Sequence, residues 1–118
     1  MAGNRDFLAG EGFAQAAGLS LLQEPVAIDL YGTATLLMHG DTLCTDDDAY
    51  QAFRAEVRST EWQQAFLAMP LFRRKSQIEA LRRESEIQKR IKPSQITDVS
   101  AAAVLQELTF VLEILVDE

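Results

Sequence analysis

The hydrophobic pattern of this chain changes period near residue 40, and that change limits what it can fold into. Residues 25–31 (PVAIDLY) alternate apolar and polar, and residues 33–39 (TATLLMH) are β-branched and apolar, so both read as strands. Gly32 between them leaves a tight hairpin as the connection. From about residue 48 the period is helical. Tyr50, Phe53 and Val57 recur at i, i+3 and i+7, and Trp62, Phe66 and Met69 also repeat at helical spacing. Thr60 is a good N-cap and reads as the start of a new helix. Pro70 breaks or restarts the helix, and residues 71–91 are amphipathic, with Leu71, Ile78, Leu81 and Ile87 among charges. Lys92-Pro93-Ser94 reads as a loop. Residues 98–115 read as a last helix capped by Asp98, with Val104, Leu108, Val111, Leu112 and Leu115 on one side. The run FVLEILV suits a strand as well, and periodicity leaves both open. An N-terminal helix over residues 8–18 closes at Gly18, a C′ glycine. The expectation is α+β, helix-dominant, in a single domain over residues 1–118.

A chain of 118 residues buries roughly two thirds of its unfolded surface at best. Its single cysteine, Cys44, forms no internal disulfide, which fits a reducing compartment. The N-terminus shows neither a basic n-region nor a long apolar stretch, so no signal peptide is expected. No run approaches the roughly 18 apolar residues of a membrane-spanning helix. The net charge is -7 and unevenly placed: residues 73–92 carry eight basic side chains against three acidic ones, a local +5 inside an otherwise acidic chain. That balance argues against general nucleic-acid binding and for contact with a phosphate-rich ligand or an anionic membrane surface.

Two motifs carry chemistry. The first is Gly3-Asn4-Arg5-Asp6-Phe7-Leu8, whose Gly-Asn pair read alone is a turn. The second runs from Met38 to Asp47 (MHGDTLCTDD) and places the only histidine, His39, at a strand end with an aspartate cluster behind it. Strand ends are where a rigid sheet hands side chains to functional loops. Read alone, the histidine is structural and the aspartates are a solvated capping run. Hydrolysing a pyrophosphate calls for hard divalent cations that neutralise phosphoryl oxygens and generate hydroxide, and such centres are built from Asp, Asn and His donors.

The runs GNRDFL, LLMHGDTLCTDD followed by YQAFR, WQQAFLAMPLFRRK, and RRESEIQKRIK followed by ITDV occur in that order. In order and approximate spacing, over about residues 3–104, they resemble the UDP-2,3-diacylglucosamine diphosphatases. These are calcineurin-like metallophosphoesterases of lipid A biosynthesis. The resemblance implies a partial α/β/β/α sandwich, here a short hairpin near residues 25–39, with a helical lid over about residues 50–97. It implies Asn4 and His39 as metal ligands, manganese as the metal, and Asn4, Arg5, Asp47, Arg82, Ser85, Lys89 and Lys92 as substrate contacts. At Lys89 the family often has asparagine. The implied substrate is a lipid-linked sugar nucleotide, cleaved to UMP and 2,3-diacylglucosamine 1-phosphate on the cytoplasmic side of a Gram-negative inner membrane, with peripheral membrane contact.

The chain also departs from that pattern. The family's Asp-x-His and Gly-Asp motifs precede its Gly-Asn motif, and this chain starts at the Gly-Asn motif. Ala2 stands where the family has histidine, and the run after Val104 (LQELTFVLEILVDE) lacks the closing Gly-His-x-His motif. The chain therefore reads as a truncated middle portion with impaired catalysis and no catalytic residue of its own; a second reading is a hydrolase whose site is completed by self-association or a complementing chain. The alternative is a non-catalytic amphipathic helical module for a lipid surface or a partner.

Overall fold

In a computed structural model the backbone of residues 1–116 and the side chains of residues 1–110 are described. The order of elements is α1 (Glu11–Ala17), β1 (Val26–Leu30), β2 (Thr33–Leu37), a 3-10 turn (Asp41–Leu43), α2 (Asp48–Arg58), α3 (Thr60–Ala68), α4 (Leu71–Ile91), α5 (Ser94–Thr97) and α6 (Ala101–Val116). The α+β, helix-dominant reading holds. Among the described residues the one sheet is the β1–β2 hairpin, so the layers of an α/β/β/α sandwich are not seen here.

The hairpin is antiparallel, with Val26 opposite Leu37 and Leu30 opposite Thr33. Its two turn residues, Tyr31 and Gly32, both have positive φ (52° and 84°), the type I′ geometry that matches strand twist. Asp29 Oδ1 accepts from the Gly32 N–H at 2.6 Å and holds the turn.

Helix ends follow the local chemistry, with several shifts from the sequence reading, among them a start of α1 at Glu11 rather than residue 8. Gly18 (φ 68°) terminates α1 as expected, and the Leu19 N–H reaches back to the Ala14 carbonyl. The cap of α3 is Ser59 rather than Thr60: its Oγ accepts from the Trp62 N–H at 3.2 Å and donates to the Glu56 carbonyl, so one hydroxyl ends α2 and starts α3. The last helix begins at Ala101, where Ser100 Oγ accepts from the Ala103 N–H. Asp98 instead accepts from the Val99 N–H. The backbone through Val116 is helical, which decides the FVLEILV ambiguity, while the side chains of Val111, Leu112 and Leu115 lie outside those described. The loop expected at residues 92–94 shortens, because Pro93 opens the single turn of α5.

The fold is open. The radius of gyration is 17.0 Å, against about 13.5 Å for a compact domain of this length. Among the described residues the buried apolar side chains are Ala14, Val57 and Phe66. Around Phe66 the aromatics are ordered: Trp62 stacks on it at 5.0 Å, and Phe7 meets Trp62 edge-on at 6.0 Å. This cluster joins the N-terminal segment to α3. Leu71 and Phe72, at the start of α4, are 73% and 71% exposed.

Phe66→Ala is expected to cost about 3 kcal/mol or more in urea-induced unfolding, by lost burial and a cavity. Leu71→Ala is expected to stay within about 0.5 kcal/mol. Equal effects would place the core elsewhere.

Candidate functional site

Helix α2 builds the site. Tyr50, Arg54 and Arg58 are spaced four apart and so share one helix face. Tyr50 Oη donates to Asp41 Oδ2 at 2.5 Å, and Arg54 Nε donates to the same oxygen at 3.0 Å. Arg54 Nη2 then reaches Glu24 Oε1 at 2.8 Å, just before β1. Glu24 Oε2 accepts from the backbone N–H of His39 at 2.6 Å. The His39 ring lies against Asp41 too, with Nδ1 3.1 Å from Oδ1. A carboxylate–guanidinium–carboxylate chain thus grips His39 at its backbone and at its ring.

Arg58 Nη2 donates to the carbonyls of Ala2 (3.1 Å) and Gly3 (3.3 Å), and Gln63 Nε2 donates to that of Phe7. Asp6 Oδ1 accepts from the Gly3 N–H at 2.6 Å and folds the segment into a tight turn. These bonds seat Gly3 on the His39 ring. A Cβ at Gly3 would lie 3.0 Å from both Cδ2 and Nε2 of His39, tighter than ordinary contact, so glycine favours the approach. The two motifs, remote in sequence, meet here.

The loop after His39 forms a second junction. Asp47, 6% exposed, accepts from the Tyr50 N–H and caps α2. Lys92 Nζ donates to both of its carboxylate oxygens, at 2.7 and 2.9 Å. Beside this pair the Ser100 N–H donates to the Leu43 carbonyl at 2.8 Å, and Cys44 Sγ lies 3.5 Å from the Thr97 carbonyl. The C-terminal end of α4 and the segment after it are therefore fastened to the aspartate loop.

The expected substrate contacts divide accordingly. Asn4 and Arg5 are exposed, and Arg5 faces α4, with Nη2 3.9 Å from Glu86. Arg82, Ser85, Glu86 and Lys89 share one face of α4 by their spacing. Lys89 pairs with Glu86 at 3.2 Å, and Arg82 lines a shallow groove with Arg83, Glu86, Ile87 and Arg90. Asp47 and Lys92 are brought together, but as partners of each other. Glu24, Asp41, Tyr50, Arg54 and Arg58 were not among the residues singled out from the sequence. The spacing of four on α2 was the signal that could have found the last three.

Burial pushes the Asp41 carboxyl up, but hydrogen bonds from Tyr50 and His39 together with the Arg54 guanidinium outweigh it, and the group lies below its ordinary value. Tyr50 moves the other way, raised by burial and by Asp41. The Cys44 thiol is also raised, by burial and then by the charges of Asp41, Asp98 and Asp47.

Of the two expected metal ligands, an amide oxygen is a donor that manganese takes, and an imidazole nitrogen is one common to several divalent metals. The set is nonetheless incomplete: among the described residues no three His, Cys, Asp or Glu side chains are grouped as a metal site.

No protein-family model matches the chain. Curated relatives do. It is 55% identical to the UDP-2,3-diacylglucosamine hydrolase of Aromatoleum aromaticum, over 86% of this chain and 42% of that protein. It is 51% identical to that of Xanthomonas oryzae pv. oryzae, over 94% and 47%, and 49% identical to that of Nitrosococcus oceani, over 88% and 42%. The chain is homologous to part of a UDP-2,3-diacylglucosamine hydrolase. It spans less than half the length of these hydrolases.

Lys92→Ala leaves the Asp47 carboxylate buried without its cation and is expected to cost about 3 kcal/mol in denaturant unfolding. Lys89→Ala removes only an exposed pair and is expected to change little. Cys44 is expected to react with iodoacetamide near neutral pH more slowly than a free cysteine, because a raised thiol holds less thiolate. Unfolding in denaturant should restore the ordinary rate. A native rate equal to the unfolded one would contradict this.

Proposed function

We propose that this chain carries the substrate-facing part of a hydrolase that cleaves the pyrophosphate of UDP-2,3-diacylglucosamine to UMP and 2,3-diacylglucosamine 1-phosphate, in lipid A synthesis. The observation that carries the proposal is the seating of the Gly3-Asn4-Arg5 turn on the His39 ring. The turn that carries Asn4 and Arg5 is thereby brought beside the imidazole, and an amide, a guanidinium and an imidazole are donor types that phosphoryl oxygens and a divalent cation call for. Arg5 and the Arg82–Ser85–Lys89 face of α4 would bind the phosphates and sugar, with Asp47 and Lys92 at the base of the lid. Manganese would lie between Asn4 and His39. With two donors, no reaction step is assigned to it, and the remaining ligands would come from outside the described residues, on this or another chain. The reaction would take place at the cytoplasmic face of an inner membrane.

A second reading rests on α4. Leu71, Phe72, Ile87 and Ile91 are exposed on a helix rich in arginine and lysine, which suits peripheral binding to an anionic lipid surface. No helix among the described residues is long and apolar enough to cross a membrane.

Equilibrium binding of UDP-2,3-diacylglucosamine in neutral detergent micelles with manganese, followed by UMP release, separates the two readings. The hydrolase reading expects saturable binding that Arg5→Ala weakens by about tenfold or more, the loss of a charge-assisted hydrogen bond to phosphate. It also expects UMP release to require His39. Equal partition of wild type and Arg5→Ala into anionic vesicles, with no sugar-nucleotide binding, would overturn it and leave the membrane module.

A further inference from the structure

Asp41 Oδ1 is buried and has no hydrogen-bond partner of standard geometry among the described residues. The other oxygen of the same carboxylate is fully engaged by Tyr50 Oη and Arg54 Nε, so the carboxylate cannot turn to relieve Oδ1. A buried acceptor left unpaired is costly, and the one nitrogen within reach is His39 Nδ1 at 3.1 Å. That nitrogen satisfies Oδ1 only when it carries a proton. With Nδ1 protonated, a neutral imidazole has its lone pair on Nε2, the atom that faces Gly3. The backbone of His39 is held independently by Glu24, and Arg54 ties Glu24 to Asp41, so the ring has little freedom to rotate away.

We infer that Asp41 is a positioning residue: it fixes His39 as the Nδ1–H tautomer and presents the Nε2 lone pair to the Gly3-Asn4 turn as a ligand for a divalent cation. The role of Nε2 as a ligand rests on the hydrolase reading, whereas the tautomer does not. A carboxylate on the far nitrogen of a metal-binding imidazole both orients the ring and raises its basicity. A solvated histidine side chain favours the opposite, Nε2–H form, so the structure favours the less common state.

His39 is the only histidine of the chain, so the test is unambiguous. Long-range proton–nitrogen correlation spectra of 15N-labelled protein, recorded without metal at a pH above the imidazole range, report which nitrogen is protonated. Wild type is expected to show Nδ1–H as the major form. Asp41→Ala is expected to revert to the Nε2–H form of a solvated histidine side chain. Tyr50→Phe, which keeps the carboxylate and removes one donor to the other oxygen, is expected to keep Nδ1–H and so guards against an unfolded alanine variant. A wild-type spectrum dominated by Nε2–H would overturn the inference, as would Asp41→Ala retaining Nδ1–H in a folded protein. These spectra need no substrate and no turnover, so failure of the tautomer assignment and failure of the hydrolase reading are read in separate experiments.

Discussion

Arg54 is the residue on which this structure turns. Glu24 precedes the hairpin and Asp41 follows it, and two carboxylates facing one histidine would repel each other without a cation between them. The guanidinium supplies separate N–H groups to each at 2.8 and 3.0 Å, and its planar fork does so with little freedom left to lose. Because Arg54 sits midway along α2, the same contact docks the hairpin against the helices. The hairpin has little else to hold it: a two-stranded sheet is marginal alone, and Leu30, Tyr31 and Leu37 are exposed. In this chain a polar network does the joining that an apolar core performs in a compact domain.

That division explains how much was legible in the sequence. The hairpin and the helices were readable because each depends on local chemistry: positive φ at Gly32, the C′ position of Gly18, helical spacing from Tyr50 onward. The cap positions were less so. Ser59 and Thr60 are both good caps, and Ser59 wins because its hydroxyl can serve two helices at once. The network around His39 was not legible. Glu24 and Arg54 carry no motif or spacing of their own that points to His39. Their meaning comes from the hairpin returning the chain to its starting point, which no pattern along the sequence displays. The meeting of Gly3 with His39 was implied by the family resemblance alone, and the bonds from Arg58 that produce it were invisible to it.

The aspartate loop shows how one side chain can hold several elements. Asp47 caps α2 through the Tyr50 N–H and binds Lys92 through both oxygens. Residues expected to touch substrate are therefore also structural. The two roles conflict less than they seem to: a lysine fixed against a buried carboxylate is pre-organised, and a ligand that meets it avoids the cost of ordering a long flexible side chain.

The anchoring of α4 is uneven, and its dynamics follow from that. Its C-terminal end is tied by the Asp47–Lys92 pair and, through the residues just beyond it, by the Ser100–Leu43 bond. Along its middle the contact from the N-terminal turn is Arg5 to Glu86 at 3.9 Å, between side chains more than half exposed, and such pairs contribute little. Its first turn presents Leu71 and Phe72 to solvent. A helix held firmly at one end and weakly elsewhere opens from the free end at low cost, since local stability tracks buried contact. The cationic face of α4 is thus held by few polar contacts, and the His39 network makes no hydrogen bond to α4 among the described residues. A rigid anchor for the imidazole and a loosely held basic helix beside it suit a ligand that must enter between them.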